Sequence, residues 1–194
     1  MKNLELVYRE ILYQAIEKNN KELTQADIAR QLNISLSTVN LAIKNLENMG
    51  SIKVNPRNFH VLDIKKILYY WASIRNLSKD IIYRTRIGLP VKDIEKEMPD
   101  NIVFAAYTSY KILFKDVPAD YSEVYIYGDT NLKERFPENK SNPNLFVLKK
   151  DSSIDKYGKT TTIANTFVDL WNLKEWYAKE FIKSMEEKLN GILE

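Results

Sequence analysis

The chain has 194 residues, 44% of them hydrophobic, enough to bury a core in one large or two small domains. It contains no cysteine and a single histidine, His60, which excludes disulfides, thiolate metal sites and the usual zinc ligand sets; no cofactor is expected. The formal charge is +3, the longest apolar runs, such as Ile67 to Ala72, are far too short to span a bilayer, and the charged start lacks a signal-peptide core, so a cytoplasmic globular protein is expected.

Between residues 4 and 18, Leu4, Val7, Ile11, Leu12 and Ala15 recur at helical spacing, and Asn19-Asn20 ends the pattern. From Thr24 to Gly50 two further helices are expected. Ile28, Ala29 and Leu32 share one face of the first, and Val39, Ile43, Leu46 and Met49 one face of the second. Asn33-Ile34-Ser35 separates them. Thr24 is placed to cap the first and Ser35 or Ser37 the second, each offering an oxygen to unpaired amides. SIKV, the turn NPRN and FHVLD then read as a small hairpin that closes the unit near Leu62. Three helices followed by a hairpin is the order of a winged helix, a fold that presents one helix to DNA.

With Val39, Ile43, Leu46 and Met49 inward, the outer face of the second helix shows Ser37, Thr38, Asn40, Leu41, Lys44 and Asn45. Ser37, Thr38, Asn40 and Leu41 are candidates for base edges, since such a helix enters the major groove by its first turns. Asn40 has the amide that pairs with adenine, and Leu41 suits a thymine methyl. Lys44 and Ser35 are placed for phosphate, and the wing residues Lys53 and Arg57 for the backbone or the minor groove. The bland reading of this face is a solvated or protein-contacting surface. Charge favours a polyanion: from Arg30 to Arg86 ten residues are basic and three acidic, a net +7, whereas residues 87–194 carry 15 basic and 18 acidic, a net −3.

LTQADIARQLNISLSTVNLAIKNLENMGSIKV resembles the winged helix-turn-helix of prokaryotic and archaeal transcription regulators, through its ADIARQL first helix, the SLSTV start of the second, its LENMG end and the IKV strand. The resemblance implies duplex DNA as partner and residues 1–62 as a DNA-binding domain.

Residues 63–89 carry one apolar stripe, Ile64, Ile67, Leu68, Trp71 and Ile74, which predicts a helical linker. It is able to pack on the winged helix, join it to the next domain or pair with a second copy. Gly88-Leu89-Pro90 is a candidate hinge. Beyond it, VKDIEKEM suggests a short helix, and a longer one is expected from near Asp100 through Ala105, Ala106 and Tyr110. SEVYIYG and NLFVLKKD read as strands, and Ile163 to Leu193 as a helical stretch.

The segments YTSYKILF, ADYSEVYIYGD, PNLFVLKKD and TFVDLWNLKEWYAKEFIKSME resemble the C-terminal region of AbiE-type antitoxin regulators and related archaeal winged-helix proteins. That likeness implies an α+β fold class, with a degenerate nucleotidyltransferase-like α/β domain over residues 90–194. It also implies repression of the protein's own operon, with a cognate toxin or other protein as a possible partner. An active nucleotidyltransferase of this group would show Gly-Ser at a helix start and paired carboxylates on a strand. Here the only Gly-Ser, Gly50-Ser51, lies in the wing, and the only Asp-x-Glu, Asp93-Ile94-Glu95, lies in a helical pattern, so Asp120 and Asp129 read as loop carboxylates. No G-x-S-x-G or complete P-loop is present, and His60 has no neighbouring nucleophile. Tyr69, Tyr70, Trp71, Trp171 and Trp176 have the composition of a ligand cage, though aromatic stripes at helical spacing are usually core.

The expectation is therefore a non-enzymatic, DNA-binding regulator. Without arginine on its reading face it should prefer A·T-rich sites or bind a single half-site weakly, and then require a homodimer on a palindrome, built through the 63–89 helix or the terminal helix. A nucleotidyltransferase with a winged-helix substrate module and a protein-interaction module are the alternatives.

Overall fold

A computed structural model describes residues 1–193. Its first helix, α1 (Asn3–Glu17), buries Val7, Tyr8, Ile11 and Leu12. Thr24 caps α2 (Gln25–Leu32) by accepting from the Asp27 amide at 3.1 Å, and Ser35 caps α3 (Leu36–Asn48) by accepting from the Thr38 amide at 3.2 Å. Asn33 turns the chain between them at φ 51°, a left-handed conformation that asparagine tolerates well. Strands β2 (Ile52–Val54) and β3 (Phe59–Val61) form the expected hairpin; β3 pairs on its other side with a two-residue β1 (Glu22–Leu23) too short for periodicity to reveal.

The stretch from Asp63 to Leu89, expected to be one helix, divides in two. After α4 (Ile64–Ile74) and a short turn of 3-10 helix, Ile81–Thr85 form strand β4, as their branched and aromatic side chains favour. Gly88-Leu89-Pro90 is a connection inside the α/β unit, because it joins β4 to α5 (Val91–Lys96), and Ile94 of α5 is buried in the cluster on that sheet. The long helix expected from Asp100 is instead strand β5 (Val103–Ala105) followed at once by α6 (Ala106–Phe114), with Ala106 at φ 47°. Strands β6 (Val124–Gly128) and β7 (Leu145–Lys149) fall where expected, with the single turn α7 (Leu132–Arg135) between them. The terminal helical stretch is two helices, α8 (Ile163–Trp171) and α9 (Ala178–Leu193).

The second sheet has the order β4-β7-β6-β5, with β6 and β7 parallel and the outer pairs antiparallel. Alternation along its strands divides the side chains between two faces. Tyr83, Val147, Ile126 and Val124 join Ile94 and Leu132 on one face. On the other, Tyr125, Tyr127, Leu148 and Val103 join a cluster that also contains Phe167 of α8, Trp71 of α4 and the buried residues of α1, α2 and α3. One hydrophobic core thus runs from the winged helix into the α/β unit. The apolar stripe of α4 is spent in that core: Ile64, Ile67, Leu68 and Trp71 are buried, and only Ile74 of the predicted stripe is exposed.

Polar contacts reinforce the junction. Arg9 of α1 is fully buried, grips both oxygens of Asp151 at 2.6 and 2.8 Å, and donates to Ser153 Oγ at 2.8 Å. Burial alone would raise the Asp151 carboxyl, but the guanidinium holds it below its ordinary value. Glu17 at the end of α1 accepts from the Ile163 amide at 2.8 Å, the first residue of α8.

Candidate nucleic-acid interface

Local chemistry sets the outward face of α3. Val39, Ala42, Ile43 and Leu46 are buried, so the 3.6-residue period turns Ser37, Asn40, Leu41 and Lys44 into solvent. Leu41 is 51% exposed and Leu36, at the helix start, 54%. Ser35 is exposed, with its hydroxyl 2.8 Å from Thr38 Oγ1 and 2.9 Å from Ser37 Oγ; Thr38 is half-buried. Asn45 stands apart from this set, half-buried with its amide donating to the Tyr8 hydroxyl of α1 at 3.3 Å.

Lys53 projects from the solvent face of the wing sheet, opposite His60 on β3, which in turn pairs with Glu22 on β1. The wing turn is closed by the Asn55 amide donating to Asn58 O at 2.8 Å and by their side chains at 2.9 Å, with Pro56 and Arg57 at its tip. Asn58 also donates to Glu22. A shallow cleft of about 270 Å³, lined by Gln25, Leu36, Pro56 and Arg57, sets the wing tip beside the starts of α2 and α3. The fold therefore brings Ser35, Ser37, Asn40, Leu41 and Arg57 around one exposed region, with Lys44 further along α3.

Residues 9–53 match the family model for winged helix-turn-helix DNA binding. This portion of the chain has the winged helix-turn-helix arrangement of that family model, with α3 as the second helix of the motif. No curated protein and no solved structure matches the chain. No helix among the described residues is long and apolar enough to cross a membrane.

Sequence reasoning missed one residue in the winged helix. Gln25, at the first position of α2, accepts from the Asn40 amide at 3.2 Å and so orients the side chain best suited to an adenine edge. Only the crossing of α2 over α3 reveals it.

The basic stretch is divided by the fold. Arg75 is 5% exposed, bound to Asp80 at 2.5 Å, with Glu5 and Asp169 at 3.5 and 3.8 Å. Arg84 lies on β4 and Arg86 just beyond it, both in the second unit. Arg30 is exposed but paired with Asp27. What remains on the winged helix is Lys44, Lys53 and Arg57, with Lys65 and Lys66 at the start of α4, where Lys66 donates to Met49 O at 3.2 Å.

The aromatic residues considered as a cage do not assemble into one. Trp71 is in the core, Tyr70 packs edge-on against Tyr8, Tyr69 packs on Phe167 and Trp171, and Trp176 stands 71% exposed. Asp120 and Asp129 are exposed and lie on opposite sides of β6 in the chain, and no three His, Cys, Asp or Glu side chains among the described residues are grouped so as to hold a metal ion.

Proposed function

We propose that this chain is a cytoplasmic, non-enzymatic transcription regulator, an antitoxin-like repressor of its own operon, which reads duplex DNA with α3 and binds as a homodimer. The observation that carries the reading is the outward row Ser37, Asn40, Leu41 and Lys44 on the recognition helix of a matched DNA-binding domain. Asn40 reads an adenine edge and Leu41 a thymine methyl, while Lys44 and Arg57 hold phosphates. With no arginine on α3 each half-site binds modestly, so two copies on half-sites about 34 Å apart supply the affinity. Because α4 is spent in the core, the copies meet elsewhere; the corner between α8 and α9 leaves Trp171 45% and Trp176 71% exposed. The α/β unit serves partner contact, such as a cognate toxin, or sensing, rather than nucleotidyl transfer.

The test is anisotropy of labelled duplex, including the segment upstream of the gene, over a salt series. Binding that weakens steeply with salt is expected; no salt-dependent binding at low ionic strength would sink the reading. Nucleotide transfer in the presence of magnesium that Asp120→Ala or Asp129→Ala abolishes would replace it with the enzymatic one.

A further inference from the structure

The helical layer on the second sheet stops short of its β4 edge. There a cavity of about 530 Å³ opens between the sheet, the Leu77-Ser78 turn after α4 and the α8–α9 connection. Register fixes its floor: Arg84 of β4 pairs with Phe146 of β7, which pairs with Tyr125 of β6, so the three side chains form one row on one face. The Phe146 and Tyr125 rings stack at 4.6 Å, 8° from parallel, and Phe146 is only half-buried. The half-buried Phe146 ring thus offers aromatic surface to the cavity, where the ring of a guest can pack.

The charged groups around this floor are of both signs. Arg84 and Lys174 line it and make no salt bridge among the described residues. Glu123 and Glu175 line it too, each held from beneath by a tyrosine: Tyr177 donates to Glu123 Oε2 and Tyr107 to Glu175 Oε2, the latter at 3.4 Å. Oε1 of each carboxylate has no hydrogen-bond partner among the described residues. A guest that satisfies the site has a ring for Phe146, an anionic group for the two cations and N–H donors for the two carboxylates.

We propose that this cavity is a binding site for a small planar-ring compound carrying an anionic group and N–H donors. A purine nucleoside monophosphate and an aromatic amino acid share that chemistry. Asn172 ties the cavity wall to the winged helix's support, its amide donating to Ala72 O of α4 at 3.1 Å and Val168 O of α8 at 3.0 Å, and both helices belong to the core that seats α1. As the effector site of a regulator, the cavity rests on the function proposed above; as a binding site it does not.

Calorimetric titration of the full chain with adenosine monophosphate, and separately with tryptophan, tests it without DNA. Saturable binding in one arm is expected and identifies the source, with Arg84→Ala weakening it about tenfold through loss of a charge-assisted contact. Arg86→Ala, on a neighbouring residue outside the cavity, is expected to leave it unchanged. No saturable binding of either probe at millimolar concentration, or binding indifferent to Arg84→Ala, overturns the proposal. Ligand binding by a chain that fails to bind duplex would overturn the regulator and leave the site standing.

Discussion

Asn40 and Lys44 lie one turn apart on the same exposed face of α3, yet their chemistry suits them to separate duties in the proposed complex. The lysine is a flexible point charge suited to phosphate, and the Asn40 amide is oriented by Gln25. Lys44→Ala is expected to weaken all duplexes alike and to lower the salt slope by about one. Asn40→Ala is expected to keep the slope and lose about 1–3 kcal/mol of discrimination at one base pair. Anisotropy against matched and singly substituted duplexes over a salt series separates the two; a base-specific loss at Lys44 would reverse the assignment. Helical period alone made Ser37, Asn40, Leu41 and Lys44 legible. The same rule predicts Asn45 outward, but it borders the buried stripe between Ile43 and Leu46 and meets Tyr8. Gln25 was invisible because its role depends on how two helices cross.

At the scale of elements, what is legible is what carries local chemistry. The helix-turn-helix advertises both its starts, and Ser35 proves to be the cap of α3, its hydroxyl on the Thr38 amide. Ser35→Ala is expected to cost about 1 kcal/mol in urea unfolding, while Ser37→Ala, two residues further on in the first turn and exposed, should cost well under half of that. The elements that sequence missed have no such marker. α4 ends without glycine or proline before β4, and β5 passes into α6 through Ala106 at φ 47°, a turn that alanine does not announce. Charge summed along the chain misleads for a related reason: it counted Arg75, which is inside the protein, and Arg84 and Arg86, which belong to the second sheet, with the cations of the winged helix.

At the scale of the whole molecule, buried polar groups bind the winged helix to the α/β unit, and their titration is the most direct test of that union. Asp151→Ala strands the buried Arg9 guanidinium and is expected to cost about 3–5 kcal/mol, with fluorescence and circular dichroism still reporting one shared transition. Asp169 of α8 makes a sharper prediction. It is fully buried, accepts from the Tyr127 hydroxyl at 3.0 Å and Asn165 Nδ2 at 2.9 Å, and has Arg75 Nε at 3.8 Å. Burial pushes its carboxyl up from 3.8 to about 7, against the pull of Arg75, the Tyr127 hydrogen bond and Arg9, while Glu5 adds to the rise. The folded protein then keeps a proton that the unfolded chain releases at lower pH. This group's contribution to stability is full below about pH 4 and is lost as pH rises toward 7, at up to about 1.4 kcal/mol per pH unit. Asp169→Asn removes that titration while preserving an acceptor for Tyr127. The wild-type chain should therefore exceed the variant most clearly near pH 4, and the gap in urea-unfolding free energy should narrow steadily up to about pH 8, whatever the other carboxylates contribute to both proteins. A gap that widens with pH would mean that Arg75 and Arg9 keep Asp169 ionised, making the centre of the molecule a buried salt-bridge network rather than a protonated hinge of hydrogen bonds.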